Sequence, residues 1–419
     1  MAEPAVRTWR HPAECGTDRL VTQVATTFAG TEAVWREVLA GDPAATFFSG
    51  HAWQSAWWRH FGDRLGLLLV VAAQAGRPAG IGPFAVGRCA GGTVVRFVGT
   101  GLSDYGDLIV DERVASRRDV VFAVLDAVRD RLPGAVLDLE QVPDRSGTVG
   151  LLAEWAAARG YRLWRFPQDR CPYQRLPPDV GLFDARRSQS TRRQDRRNSR
   201  ALERLGPVWL VASGMEAGGL PALVEALAAV ERAHCAAGRR INSFEGSRGA
   251  FLADGMSAAA AAGQLWLSGM SVGPTLVAYS VAFEQGGVLY GYLQGYRREY
   301  ANYGPGTILL LHLQREAIRR GIHTVDYLRG AEPYKLRWQT GIGVNYRLLL
   351  RPAAAGPVAR LAGLAHLLCS CWRDALPQPP VLRPALDRAR RLSPNRHRGL
   401  AGRPPRFREA AGRAASYDS

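Results

Sequence analysis

The chain has 419 residues, 47% hydrophobic and 22% charged, which is room for two or three domains and excludes both a single small module and wholesale disorder. Its formal net charge is +17, yet of its 54 basic residues a single one, Lys335, is a lysine. A P-loop needs a lysine inside a glycine-rich turn and a protein kinase needs one on a strand. Lys335 sits in Glu332-Pro333-Tyr334-Lys335-Leu336, so both kinds of phosphoryl transfer are excluded, and no glycine-rich phosphate turn precedes it to support a pyridoxal-phosphate Schiff base.

After a polar leader (1–24), Trp53, Trp57 and Trp58 in the aromatic-rich stretch 47–61 have the spacing of a helix facing a core. Apolar runs at 67–71, 78–86, 94–98 and 108–110, separated by glycine-rich turns, predict a strand meander. Val120, Val121, Val124 and Val128 predict a helix over 114–132, followed by a strand at 135–139 and a helix over 151–159 stopped at Gly160. The Pro-containing connection 176–179 marks a boundary. Beyond it the expected order is an Arg-rich helix (184–205), a strand (208–211), helices (220–237 and 248–262), strands (264–270, 276–284 and 288–294), a helix (307–320) and a strand (323–328). Each half is thus a meander followed by helix and strand, the order expected of a duplicated α/β unit.

The charge is not spread evenly. Residues 351–419 carry 13 Arg against 4 acids and residues 184–204 carry 8 Arg against 3, so these two stretches hold 14 of the 17 net charges. The basicity belongs to one helix and a Pro-rich tail, not to a continuous nucleic-acid-binding face. Six scattered cysteines point to a reducing compartment. No apolar run approaches the length of a membrane span, and the first twenty residues lack an apolar signal core, so a cytoplasmic protein is expected.

The densest chemistry lies between positions 288 and 338. Asn302-Tyr303-Gly304-Pro305-Gly306-Thr307 opens the 307–320 helix, and glycines there let backbone N–H groups approach an anion favoured by the helix dipole. The next strand delivers Asp326 and runs on to Trp338. Lys335 stands out because arginine fills every other basic position, so a compact ammonium is the selected feature. Asp326 and Glu332 are candidate bases, or ion-pair partners of Arg329 or Arg337, and Tyr334 is a site or core residue. The pair Cys369 and Cys371 with His366 has too few ligands for a metal and reads as an apolar helix.

The stretches Tyr300-x-x-Tyr303-x-Pro305-Gly306-Thr307, Asp326-Tyr327-Leu328-Arg329-Gly330 and Glu332-x-Tyr334-Lys335-x-x-Trp338 resemble the GNAT-like acetyltransferases that include the cellulose-biosynthesis protein CelD, relatives of the FemABX peptidyltransferases. Trp53 to Trp58 and the 99–107 stretch Gly-Thr-Gly-Leu-Ser-Asp-Tyr-Gly-Asp are similar too. The resemblance implies an α/β (α+β) fold of tandem GNAT-like domains, each a mixed, mostly antiparallel sheet flanked by helices, over 25–180 and 181–350, with the basic tail at 351–419. It also implies an acyltransferase taking acetyl-CoA or another acyl-CoA as co-substrate, without a metal, and a small-molecule or glycan-precursor acceptor. Catalysis would fall to Lys335, Glu332, Asp326 and Tyr334, and co-substrate binding to Tyr303, Gly304, Gly306 and Thr307. Gly304 stands where relatives often carry serine. The alternative is an aminoacyl-tRNA-dependent transferase of the FemABX kind, or a module binding an anionic polymer through the Arg-rich helix and tail.

Overall fold

The computed structural model describes residues 19–89, 92–214, 220–235 and 242–353. The expected apolar stretch 358–376, with His366, Cys369 and Cys371, and nearly all of the basic tail lie outside them.

The first passage of the chain forms β1 (Val21–Ala25), α1 (Glu32–Leu39), α2 (His51–Phe61), β2 (Gly66–Gln74), β3 (Arg77–Cys89), β4 (Gly92–Phe97), β5 (Ile109–Val110), α3 (Arg117–Arg131), β6 (Val136–Pro143), α4 (Thr148–Ala158) and β7 (Tyr161–Arg175). The second forms α5 (Val180–Ala185), α6 (Gln189–Glu203), β8 (Val208–Gly214), α7 (Leu220–Cys235), α8 (Gly246–Ala261), β9 (Leu265–Val272), β10 (Thr275–Gln285), β11 (Val288–Tyr296), α9 (Pro305–Arg319), β12 (Thr324–Asp326), α10 (Pro333–Trp338) and β13 (Gly341–Pro352). Local chemistry explains the boundaries. The Ser116 hydroxyl accepts from the Asp119 amide and starts α3, whose Val120, Val121, Val124 and Val128 are all buried. Ser188 likewise accepts from the Thr191 amide and splits the expected Arg-rich helix into α5 and α6. β1 begins inside the stretch read as a leader, pairing Val21–Ala25 with β2.

The strands form one mixed sheet in the order β1-β2-β3-β4-β6-β13-β7-β12-β11-β10-β9-β8, with β5 paired to β3 off this path. Most pairs are antiparallel. The two parallel ones among the described residues, β4 with β6 and β11 with β12, fall one in each half, and each is bridged by a helix, α3 and α9. The expected fold class is therefore observed: a large, mostly antiparallel sheet flanked by helices.

The centre of the sheet is an exchange. β7 leaves the first half and pairs with β12 of the second, while β13, the last strand among the described residues, returns to lie between β6 and β7. Packing crosses the same line. Trp53 of α2 meets Phe251 of α8 at 4.6 Å, and Phe47 stacks on Phe283 of β10 at 4.0 Å, inside a core fed by both halves. No helix among the described residues is long and apolar enough to cross a membrane.

Candidate active site

Along one edge β11 pairs with β10, with a bulge at Tyr292, since Val281 faces Leu293 and Ala282 faces Gly291. Along its other edge β11 meets β12 over three residue pairs only, ending at Tyr290 opposite Asp326. β12 stops there, and the chain turns away through Leu328, a buried non-glycine residue in the left-handed region at φ 58°. Such a conformation costs about 1–3 kcal/mol and is kept where the surroundings impose it. From Gly291 onward this edge of β11 has no strand partner among the described residues, so its backbone polar groups are left outside the ladder where β12 ends.

The first half packs against this point of divergence. Tyr105, from the 99–107 loop, donates its hydroxyl to Asp326 at 2.8 and 3.0 Å from the two carboxylate oxygens, and the Leu328 amide donates to Oδ1 at 2.9 Å. Arg145 donates from Nη1 to Oδ2 at 3.3 Å, with its guanidinium 4.7 Å over the Tyr105 ring. Asp326 is 1% exposed, and burial pushes its carboxyl up against the opposing pull of Arg145 and these hydrogen bonds. Burial and then the Asp326 charge push the Tyr105 hydroxyl well up, so Tyr105 remains a donor. Burial raises the neighbouring Tyr290 and Cys171 as well.

The same loop is stitched on at three further points. Tyr292 donates to the Leu102 carbonyl at 2.9 Å, Arg329 pairs with Asp104 at 2.6 Å, and Asn345 of β13 donates to the Asp104 carbonyl at 2.8 Å. Asn345 also donates to Gln141, a second buried left-handed non-glycine at φ 61°, whose own amide reaches Asp169 at 2.6 Å.

Of the residues singled out from the sequence, Asp326 ends β12 and is paired with Arg145 of the other half, neither on the surface nor with Arg329 or Arg337. Lys335 lies on α10, which packs against β7. Its ammonium is buried, donates to the Arg329 carbonyl and pairs with Glu332 at 3.0 Å, so it braces the 329–332 turn. The Glu332 side chain is 54% exposed and Tyr334 is also exposed, not core.

The remaining four residues gather at the start of α9. Gly304 takes φ +61° as its N-cap, Pro305 occupies the first turn, and the Gly304 carbonyl accepts from the Thr307 and Ile308 amides. A Cβ on Gly306 would stand 3.1 Å from Gln294 Nε2 and 3.5 Å from the Tyr296 ring, both on β11, and Gln294 donates to the Gly306 carbonyl. Tyr303 is half-buried in the turn before. α6 covers this corner, with Asn198 Nδ2 3.0 Å from where a Gly304 Cβ would lie. Gln294 lies four positions beyond Tyr290 on β11, about 13 Å along the strand, so the two candidate groups form two stations on one strand.

Tyr105, Arg145, Tyr290, Arg329 and Gln141 escaped sequence reasoning as site residues. Tyr105 had a signal in the 99–107 stretch, whereas Arg145 is one arginine among many.

The fold is that of an α/β protein in which two parallel strands, β11 and β12, diverge beside a glycine-opened helix start. Residues 189–336 match the acetyltransferase (GNAT) domain family. The crystal structure of FemX is similar over 82% of this chain and 100% of its own, at 11% identity and a TM-score of 0.56. A tandem GNAT protein from the clavulanic acid biosynthesis pathway aligns over 81% of this chain and 100% of its own, at 14% identity and a TM-score of 0.45. No curated protein matches the sequence.

Proposed function

We propose that the protein is an acyltransferase moving an acyl group, acetyl first among candidates, from acyl-CoA to an amine or sugar-linked acceptor held between the two halves. The observation that carries this reading is the divergence of β11 from β12 after Tyr290 and Asp326, with the glycine-opened start of α9 about 13 Å further along the same strand. An extended donor anchored by phosphates at the helix start reaches the divergence with its thioester. The narrow corner at Gly304 and Gly306, which a side chain would fill, fits the close approach of such a donor to the backbone.

The thioester supplies an activated carbonyl, and aminolysis then needs positioning, a deprotonated amine and donors to the developing oxyanion. The unpaired edge of β11 beside the Tyr292 bulge offers those donors. Glu332, solvent-reachable and oriented by Lys335, is the preferred base, and the buried Asp326 positions Tyr105 and Arg145. Calorimetric titration of acetyl-CoA into the purified protein, with thiol release measured over a panel of amines, tests the reading. Absence of both binding and thiol release rejects acyl-CoA as donor.

One observation favours a second reading. Arg193, Arg196, Arg197 and Arg200 of α6 are exposed and have no acidic partner among the described residues, beside the start of α9. An aminoacyl-tRNA donor would use them, and its binding would weaken steeply between low and physiological salt, whereas acyl-CoA turnover would persist.

A further inference from the structure

The side chains gathered where β11 and β12 separate are not equally committed. Asp326 is buried and already receives hydrogen bonds from Tyr105 and the Leu328 amide. The Arg145 side chain is 44% exposed, yet it is held on two sides, by one nitrogen on Asp326 at 3.3 Å and by the Tyr105 ring under its plane. A guanidinium has five N–H donors, and the others on Arg145 meet no acceptor among the described residues. The neighbouring cations differ. Arg329 is taken by Asp104, and the Lys335 ammonium is buried on Glu332. Arg248 also faces Tyr292, with its Nε buried and without a hydrogen-bond partner, but Arg145 is the cation oriented by Asp326 and Tyr105, with an open donor edge, at the point where β11 and β12 separate. A planar fork held in this way fits a carboxylate or phosphate, which accepts two parallel N–H bonds.

We propose that Arg145 is the specificity-determining residue for the acceptor. Its open edge receives an anionic group of the acceptor, carboxylate or phosphate, while the acceptor's amine lies in the divergence beside Tyr290 and Tyr292. The first half thus selects the acceptor and the second handles the donor. This inference rests on the acyltransfer reading for its meaning, but it predicts binding that needs no donor.

The test is calorimetric binding to the full chain, without donor and at fixed ionic strength, of amines in matched pairs: ethanolamine and phosphoethanolamine, glucosamine and glucosamine 6-phosphate, cadaverine and lysine. The anionic member of the best-bound pair is expected to bind at least tenfold tighter. That ratio should fall to near one in Arg145→Gln and lie between in Arg145→Lys. The lysine pair against the two phosphate pairs tells carboxylate from phosphate recognition. Arg145→Gln leaves the buried Asp326 without its counter-charge, so the double variant Arg145→Gln/Asp326→Asn, checked by circular dichroism, provides a second folded protein in which the ratio should also be near one. No preference for any anionic member in the native protein overturns the inference, as does a preference that survives in a folded variant. Failure of acyl-CoA turnover leaves this readout intact, whereas release of the coenzyme A thiol at equal rates with either member of every pair as acceptor refutes the role of Arg145 while acyl transfer stands.

Discussion

Asp107 ends the loop that carries Tyr105, and burial, opposed chiefly by the Arg117 guanidinium, pushes its carboxyl up to about 6. Its Oδ2 is buried without a hydrogen-bond partner. Because the unfolded carboxyl titrates near 4, folding favours the protonated form. The contribution of Asp107 to stability is fully present below about pH 4 and is lost as pH rises through 6, a change of about 3 kcal/mol. Asp107→Asn should flatten urea-derived stability over that window and exceed the native protein at pH 8; an unchanged pH profile would disprove the assignment. Lys335 makes a different case. Lys335→Ala frees the 329–332 turn and Glu332, and should lower kcat about tenfold, the scale of a lost charge-assisted contact, with acetyl-CoA Kd unchanged and partial rescue by Lys335→Arg. A shift in melting temperature alone would make it structural. Asp326 was legible in the sequence because it sits in a short strand and in the Asp326-Tyr327-Leu328-Arg329-Gly330 stretch, although the strand was expected to run on to 328 and stops at the acid. Arg145 was not, because its meaning comes from a partner 181 positions away, and nothing local distinguishes it from other exposed arginines.

At the scale of elements, the start of α9 is the feature most exposed to a single substitution. Gly306→Val places bulk against Gln294 and Tyr296 at the proposed donor corner. It should weaken acetyl-CoA binding at least tenfold by calorimetry while the helical signal is retained, and an unchanged Kd would move the donor elsewhere. This helix was readable from its apolar spacing and its Gly-Pro-Gly opening, as were α2, α3 and the meander strands. β7 and β13 were not read as strands at all. In β7 arginines alternate with apolar residues, Arg162, Arg165, Arg170 and Arg175 among them, and Pro167 and Pro172 interrupt the run, so it lacks the apolar signature of a central strand. β13 opens on Gly341-Ile342-Gly343, which reads as a turn. Their pairing energy comes from partners far along the chain, which no local window contains.

At the scale of the whole molecule, the exchange of β7 and β13 makes each half structurally dependent on the other. Residues 19–180 alone lack β13, so β6 would keep an open edge, and residues 181–353 alone lack β7, so β12 would keep β11 but lose its antiparallel partner. Unfolding in urea should therefore be one transition, coincident by tryptophan fluorescence and far-UV circular dichroism. Two separated transitions would show that the halves are independent. Either half expressed alone should aggregate or remain unfolded.

The position of β13 also fixes an order of events during synthesis. The ribosome completes β6 and β7 long before it makes the strand that belongs between them, and at roughly 5–20 residues per second the interval is on the order of ten seconds or more. Throughout it the nascent first half presents two unsatisfied edges, Arg-rich on β7, which discourage pairing with another chain. The usual vectorial rule, one domain finished before the next begins, does not apply to this protein. Its first half is completed by β13, made about 165 residues after β7, so slow translation or a premature stop before it should act as a folding defect of the part already made.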